Sequence, residues 1–389
     1  MSLTREQVLS VYRQVLGRTP DEPEVEHQLA TMPTLDAMLR VALDSDEYAA
    51  RLRELGQARP RRAADVVNVF HPELARWGHA PGTRSEDGIA IVGRDGWLFL
   101  CGGTNANLGQ YVGAVQMEPM WLDGWCEVVR GRQPELHALG ATTALLVVPD
   151  KLAVYEQHYP EPLERVGPRP IERLLGAGVP IAYPLDELRA AARRDDVYLR
   201  TDTHLTLRGN EVLFESVRDA LGVAAPLDLS GVSSVSYVTS GDLGAKFAPA
   251  VVNVVSNPGT LHRARVTEDN RAEIEAVGGH IGTRRVFVND DAPDERVAVV
   301  FGDSFGFGAE HYQGLSWFLA QVFRETHFVW VPFGWDPDYA RRVGAQAVLI
   351  QAAERFVARV PRASVEVAEL ARETLRRKQA LGIESAFGA

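Results

Sequence analysis

Between residues 144 and 350, short apolar runs alternate with longer amphipathic patterns. The longer patterns have helical spacing and include residues 187–194, 207–220 and 309–324. Strands that are apolar on both faces and are joined by helices form a parallel sheet with helices on either side. The sequence therefore predicts a doubly wound α/β core, with strands expected at residues 144–148, 180–183, 297–301, 327–331 and 347–350.

Residues 229–290 do not follow this alternation. The segment is rich in turn residues and contains the strand-like stretches VSSVSYVTSGDLG, AVVNVVSNPG and RRVFVND. We expect a β-rich insertion in the α/β core. Insertions of this type often shape a substrate cleft, because connecting segments carry much of the function on a rigid scaffold.

Apolar residues recur at helical spacing near the start of the chain. Thr4, followed three positions later by Gln7, indicates a capping box at the start of the first helix. We expect a small all-α module over residues 1–60, with an Arg- and Pro-rich linker at residues 56–65, and the main domain over residues 61–389. Two roles are open for the module: it docks a protein partner, or its helices cap the main domain.

The charge balance excludes some classes of partner. The chain has 41 basic and 52 acidic residues, a formal net charge of -11, so a nucleic-acid interface is disfavoured. Its apolar runs are far shorter than the roughly 20 residues of a membrane-spanning helix, and its N-terminal sequence lacks a signal-peptide pattern. We therefore expect no membrane span and a cytoplasmic location. The two cysteines are too few for a disulfide framework.

A Gly-Asp-Ser sequence, residues 302–304, follows the apolar run at 297–301. Open α/β sheets bind ligands beyond the carboxyl ends of their strands, which makes Ser304 a candidate nucleophile. Its backbone N–H, near the start of a helix expected from residue 309, is a candidate oxyanion donor. A simple turn without chemistry is the alternative interpretation of this short motif.

A serine nucleophile needs a base, and the base needs an acid that orients it. Asp202 and His204 are two residues apart, so on an extended segment they project to the same side. Asp202 is then placed to hold Nδ1 of His204 while Nε2 faces Ser304. An isolated Asp-x-His is more often a solvated or core pair, but its combination with a strand-end serine favours a catalytic triad.

Five blocks in chain order resemble the alginate O-acetyltransferase-like branch of the SGNH hydrolase superfamily. The blocks are GRDGWLF at 93–99, VPDK at 148–151, TDTH at 201–204, GDSF at 302–305 and ERF at 354–356. The resemblance implies an SGNH-hydrolase-like fold, with Ser304 as nucleophile, His204 as general base and Asp202 as its orienting acid. Family members usually carry an export signal or membrane anchor, and the residue after Asp-x-His is often Trp, whereas here it is Leu205.

Other residues are weaker candidates. By analogy with the superfamily's Gly-x-Asn block, Gly103 and Asn105 are candidate oxyanion or substrate-binding residues. Lys151 and Tyr155 either line the cleft or pack beside it. The dipeptide at residues 95–96, Asp-Gly, predicts a structural hairpin.

The leading functional hypothesis is an O-acyltransferase, with acetyl as the expected group, that moves an acyl group through Ser304 from an acyl donor to a carbohydrate-type hydroxyl. An esterase that uses the same residues is the second hypothesis. A catalytically silent glycan-binding or assembly protein is the third. Metal-binding and nucleotide-binding motifs are not found in the sequence, so no cofactor is expected. Glu354 with Arg355 is expected to form an ion pair at a strand end.

Overall fold

The computed structural model describes residues 3–12, 16, 18–43, 45–48, 66–68, 74, 78–230, 232, 234–258, 263–276, 278–309 and 312–380. The linker predicted at residues 56–65 lies outside these residues.

The elements of the described residues are as follows. The helices are α1 (Arg5–Val11), α2 (Glu22–Thr31), α3 (Leu35–Leu43), α4 (Asn107–Tyr111), α5 (Trp121–Leu139), α6 (Lys151–Tyr155), α7 (Pro170–Gly176), α8 (Leu185–Ala192), α9 (Leu207–Arg218), α10 (Gly241–Gly244), α11 (Arg271–Ala276), α12 (Ser304–Phe307), α13 (Leu315–Ala320), α14 (Pro337–Arg342) and α15 (Val367–Ala380). The strands are β1 (Val66–Asn68), β2 (Ala90–Val92), β3 (Leu98–Leu100), β4 (Thr142–Val148), β5 (Ser234–Thr239), β6 (Ala250–Pro258), β7 (Arg265–Asp269), β8 (Arg284–Val288), β9 (Asp294–Gly302), β10 (Gly308–Ala309), β11 (Tyr312–Gln313), β12 (Phe323–Trp330) and β13 (Ala347–Ala353).

A central sheet of six strands has the order β4-β13-β9-β12-β8-β7. The strands β4, β13, β9 and β12 are parallel to one another, and β8 and β7 continue the sheet in antiparallel fashion at one edge. Runs predicted at 144–148, 297–301, 327–331 and 347–350 overlap the four parallel strands. The predicted α/β fold with a mostly parallel sheet is thereby confirmed.

Both faces of the central sheet are buried, which explains the continuous apolar runs. Successive residues of a strand point to opposite faces. On β9, Val300 packs in one apolar cluster with Leu349 of β13, and Val299 and Phe301 pack in another with Val348. Burial of each such side chain stabilises the fold by about 1.5–3 kcal/mol relative to exposure.

The strand predicted at residues 180–183 is not formed. Ala182 pairs with Leu146 of β4 only through an isolated bridge. Proline has no backbone N–H and is restricted to the ends and edges of sheets, and Pro180 and Pro184 flank this bridge. The segment therefore stays a short edge contact beside β4.

The single helix predicted at residues 309–324 is also wrong. A helix, α12, begins at Ser304 itself, the hairpin of β10 and β11 follows, and α13 is only six residues long. Glycines cause the interruption. Gly308 has a φ of 83° at the end of α12, and a Cβ on Gly314 would lie 2.5 Å from the carbonyl oxygen of Gly306.

The predicted β-rich insertion at residues 229–290 is divided between two sheets. Strands β5 and β6 pair in antiparallel fashion, and β1 adds to β6 in parallel, which gives a separate three-stranded sheet. Strands β7 and β8 instead extend the central sheet. Between β5 and β6, α10 brings its backbone close to the Asp-x-His segment.

The N-terminal helices pack against the insertion. Thr4 and Gln7 form the predicted capping box of α1. Val8 and Val11 of α1 are fully buried in an apolar cluster that includes Ala250 and Val252 of β6. This packing favours the interpretation of the module as a cap, and docking of a protein partner remains a prediction. Among the described residues, no helix is both long and apolar enough to cross a bilayer.

Candidate active site

Ser304 lies where β9 ends and α12 begins. The preceding residue, Asp303, caps this helix, because its Oδ1 accepts a hydrogen bond from the N–H of Phe305 at 3.0 Å. The same carboxylate accepts hydrogen bonds from Nε2 of Gln351 at 2.8 Å and from the N–H of Ala353 at 2.7 Å. Since both partners belong to β13, Asp303 fixes the Ser304 turn to the neighbouring strand.

The glycines of this turn allow the close packing around Ser304. A Cβ on Gly302 would lie 2.5 Å from Oε1 of Gln351, and one on Gly306 would lie 2.8 Å from the ring of Phe328. Among the described residues, the backbone N–H of Ser304 has no acceptor, because the first N–H groups of a helix have no partner within the helix. This N–H is available to hold an oxyanion.

Asp202 and His204 lie in a tight loop rather than on the extended segment expected from the sequence. The loop is closed by a hydrogen bond from the N–H of Leu199 to the carbonyl of His204, at 2.9 Å. Oδ1 of Asp202 accepts two hydrogen bonds from His204, from its backbone N–H at 2.9 Å and from Nδ1–H at 2.6 Å. A short local turn therefore brings the two side chains together.

The predicted serine and histidine are adjacent in the structure. Nε2 of His204 lies 2.7 Å from Oγ of Ser304, within hydrogen-bond distance. Asp202 and His204 are both buried. Burial alone lowers the pKa of His204, but the charge and hydrogen bond of Asp202, with a smaller effect of Asp242, outweigh it and raise the pKa above its ordinary value. The imidazolium is thus favoured once a proton reaches Nε2.

Lys151 supports the Asp-x-His loop from below. It is 6% exposed, and its Nζ donates hydrogen bonds to the carbonyls of Leu199, Arg200 and Asp202 at 2.9, 3.1 and 2.8 Å. Burial lowers the pKa of Lys151 below its ordinary value, and the charges of Asp242 and Asp202 offset only part of this shift. Three carbonyl acceptors are satisfied only by an ammonium with three protons. The contacts of Lys151 place it beside the site, in a supporting position.

Tyr155 has a similar position. Its hydroxyl accepts a hydrogen bond from the N–H of Val197 at 2.9 Å, and its ring stacks on Trp97 with centroids 3.9 Å apart. Trp97 follows the turn at residues 94–96, which joins β2 to β3. The hairpin predicted from Asp-Gly is therefore present, and together with α6 it forms the floor beneath the loop.

Gly103 and Asn105 lie in the turn before α4. Gly103 is exposed with a φ of 88°, and the carbonyl of Asn105 accepts a hydrogen bond from Nε2 of Gln110 at 2.6 Å. Their role in oxyanion or substrate binding remains a prediction. Two positions along the chain, Asn107 is 3% exposed and has no partner for its Oδ1 among the described residues. It borders a small polar space that also includes Thr203, the neighbour of His204.

Glu354 and Arg355 each have a separate partner. Oε1 of Glu354 lies 3.1 Å from Nη1 of Arg169, and Nη1 of Arg355 lies 3.5 Å from Oδ1 of Asp150. The guanidinium of Arg355 also lies 5.5 Å from the ring centre of Phe305, the residue after Ser304. Arg355 thus provides a positive charge near the site.

Asp242 lies beside the loop, although it was not among the residues predicted from the sequence. It lies on α10, in the insertion, and its Oδ2 is 4.0 Å from Nδ1 of His204. Its backbone N–H donates a hydrogen bond to Oδ2 of Asp202 at 3.0 Å. In the sequence, Ser-Gly-Asp-Leu-Gly is typical of any turn, so no local pattern reveals this contact.

Among the described residues, the side chains of Asp202, His204 and Asp242 form one group with metal-ligating atoms within 4.8 Å of one another. Nδ1 of His204 already donates to Asp202, so a cation would compete with this hydrogen bond for the same atoms. The geometry fits an acid–base relay from carboxylate to imidazole to hydroxyl.

Residues 90–325 match the family described as SGNH hydrolase-like domain, acetyltransferase AlgX. The match covers more than half of the chain. A probable alginate O-acetylase, AlgJ, of Pseudomonas aeruginosa is 29% identical over 157 residues, which are 38% of this chain and 37% of that protein. The similarity thus spans little more than a third of that relative's length.

Solved structures show similar chains at low identity. The O-acetyltransferase domain of Pseudomonas putida AlgJ is 17% identical, with a TM-score of 0.44, over 74% of this chain and 99% of that one. A DHHW family protein from Eubacterium siraeum is 15% identical, with a TM-score of 0.46, over 73% of this chain and 94% of that one.

Proposed function

Since the chain belongs to the family of SGNH hydrolase-like domains of the acetyltransferase AlgX, we propose that it is an O-acetyltransferase that works through an acyl-enzyme on Ser304. The observation that carries this proposal is the continuous line of short contacts from Asp202 through His204 to Ser304. A chain that had lost the activity would be under no constraint to keep all three groups within hydrogen-bond distance.

In the first half of the proposed reaction, Oγ of Ser304 attacks the carbonyl carbon of an acetyl ester. Nε2 of His204 takes the hydroxyl proton, and the backbone N–H of Ser304 donates to the developing oxyanion. The tetrahedral intermediate then expels the donor's oxygen, which takes the proton from the imidazolium. Asp202 keeps Nδ1 protonated and stabilises the transient positive charge.

In the second half, a hydroxyl of the acceptor replaces the donor. His204 removes the proton of this hydroxyl, its oxygen attacks the acetyl carbon, and Ser304 leaves with the proton that His204 returns. We propose a carbohydrate-type acceptor, because the matching relative is named as a probable alginate O-acetylase. The cytoplasmic location expected from the sequence and the protein partner of the helical module stay predictions.

An esterase is the second candidate, since water can replace the acceptor in the second half of the reaction. The difference depends on how well the occupied site excludes water and orients a hydroxyl. Asp202, His204 and Ser304 serve both activities equally. The two functions are therefore separated by the fate of the acyl-enzyme.

Intact-protein mass spectrometry tests the proposal. The protein is incubated with activated acetyl esters and with acetyl-CoA, and Ser304→Ala is the matched control. We expect a gain of one acetyl group that the variant lacks, and faster loss of this group on addition of oligosaccharides with transfer to them. Loss to water alone, at a rate unchanged by sugars, favours the esterase. No adduct with any donor favours a silent glycan-binding protein.

A further inference from the structure

A turn of the insertion, Gly241 with Asp242, reaches into the candidate site. Gly241 has a φ of 60°, and a Cβ at this position would lie 2.6 Å from Cβ of Asp202. The backbone therefore approaches Asp202 as closely as only glycine allows. The next N–H, that of Asp242, donates to Oδ2 of Asp202 at 3.0 Å.

The Asp242 side chain holds the residue between the two triad members. Its Oδ1 accepts a hydrogen bond from the N–H of Thr203 at 2.7 Å, and its Oδ2 accepts one from the Thr203 hydroxyl. This two-point contact fixes the backbone on which both Asp202 and His204 depend. Since the insertion is distant in sequence from this loop, the contact couples the two segments.

The charges around His204 come from four elements. Asp202 on its own loop and Asp242 on α10 are negative, whereas Arg355 after β13 is positive and lowers the pKa of His204. Lys151 on α6 neutralises part of the negative charge, because its ammonium interacts with both Asp242 and Asp202. Although 43% of the Asp242 side chain is exposed, the protein packed around its carboxylate and the like charge of Asp202 raise the pKa of Asp242. Two carboxylates thus lie near the imidazole together with one ammonium and one guanidinium.

We propose that Asp242 is a positioning residue of the reaction, which clamps Thr203 and adds a second negative charge on the Nδ1 side of His204. This inference rests on the proposed function, because it assigns Asp242 to the same triad. Asp242 acts through Thr203, Asp202 and His204 and needs no contact with substrate. It makes the insertion part of the catalytic machinery.

Two variants separate the clamp from the charge. Asp242→Asn keeps an oxygen that can accept from the Thr203 N–H but removes the charge, and Asp242→Ala removes both. Because 43% of the Asp242 side chain is exposed, both variants are expected to fold. Asp290→Asn is the matched control, since Asp290 is exposed and ion-paired with Arg265 away from the site.

The first readout is the pH profile of kcat/KM with an activated acetyl ester. For Asp242→Asn we expect the acid limb to move to lower pH, because the imidazolium loses a stabilising charge. For Asp242→Ala we expect an additional loss of kcat of about 10- to 100-fold from misplacement of the loop. The control should match the wild type. A wild-type acid limb in both Asp242 variants, with kcat unchanged, overturns the proposal.

A second readout does not need activity. NMR titration follows the imidazole of His204 directly in the wild type and in Asp242→Asn. The resonance of His204 is assigned because it is missing from the spectrum of His204→Gln. A lower titration midpoint in the variant supports the proposal even if no ester is turned over, in which case only the proposed function fails. An unchanged midpoint overturns the assigned charge effect even in an active enzyme.

Discussion

Replacement of Lys151 by Met tests whether a buried ammonium supports the catalytic loop. Methionine has a similar length and fills the same space beneath the loop, next to Trp97 and Phe99, whose ring centres lie 5.6 and 5.8 Å from Nζ. It cannot donate a hydrogen bond. The substitution therefore removes one donor from each of the carbonyls of Leu199, Arg200 and Asp202. The carbonyl of Arg200 keeps the N–H of Leu98 at 2.9 Å, and that of Leu199 keeps the N–H of Asp202 at 3.4 Å.

The magnitude follows from these three bonds. Because carbonyls of this loop keep other donors, each lost hydrogen bond is counted at its net contribution of about 0.5–1.5 kcal/mol, which gives about 1.5–4.5 kcal/mol for three. The release of a desolvated ammonium acts in the opposite direction and offsets part of this cost. Loss of the positive charge also removes its favourable interaction with the carboxylates of Asp202 and Asp242, which adds to the destabilisation. We expect a net destabilisation of about 2–4 kcal/mol.

This effect is measured by urea unfolding, with the fluorescence of the buried tryptophans as the signal. Lys246→Met is the matched control, because Lys246 makes a single ion pair with Asp87 at 2.9 Å near the surface and should contribute less than about 1 kcal/mol. In the absence of urea, where the Lys151→Met variant is folded, its kcat should fall, because the loop that carries His204 loses its support. An unfolding curve and a kcat equal to those of the wild type would refute the reasoning.

Three further predictions concern the triad itself. Ser304→Ala should reduce acyl transfer by about 10⁴- to 10⁶-fold, measured as initial rates with an activated ester, and a loss below tenfold would remove Ser304 from the mechanism. Asp202→Asn should reduce kcat by about 10³- to 10⁴-fold with little change of KM, because the neutral amide favours the wrong tautomer of His204, and a wild-type kcat would contradict this role. The acid limb of the wild-type kcat/KM profile should lie above pH 6.5, the ordinary pKa of His. The raised pKa of His204 keeps the imidazole protonated, and unable to act as a base, up to a higher pH. An acid limb below pH 6.5 would contradict a raised pKa of His204.

The parallel part of the fold was predictable because it depends on local composition. Runs such as residues 297–301 are apolar on both faces, and only a buried central strand accommodates that pattern. The position of Ser304 was predictable for a related reason, because a strand end restricts where the next residue can lie before any long-range contact is known. The pairing of Asp202 with His204 was also predicted, but a tight loop produces it and not the extended i, i+2 segment on which the prediction was based.

The errors arise where a single proline or glycine decides the local structure. Prolines on either side of Ala182 reduce a predicted strand to one bridge, and Gly308 and Gly314 divide a predicted helix into short pieces. Periodicity over ten or more residues does not detect such interruptions, because the apolar residues on both sides keep their spacing. The backbone conformation of a few residues is decisive there.

Asp242 was not predictable because its contacts connect segments that are about forty residues apart. Their convergence gives the site a charge arrangement that no single motif contains. Asp202 and Asp242 lie on the Nδ1 side of His204 and favour its imidazolium, whereas Arg355 and burial oppose it. The carboxylates outweigh the opposing effects, because the pKa of His204 is raised. In the proposed reaction, the loop and the insertion therefore stabilise the transition state in which His204 holds the serine proton.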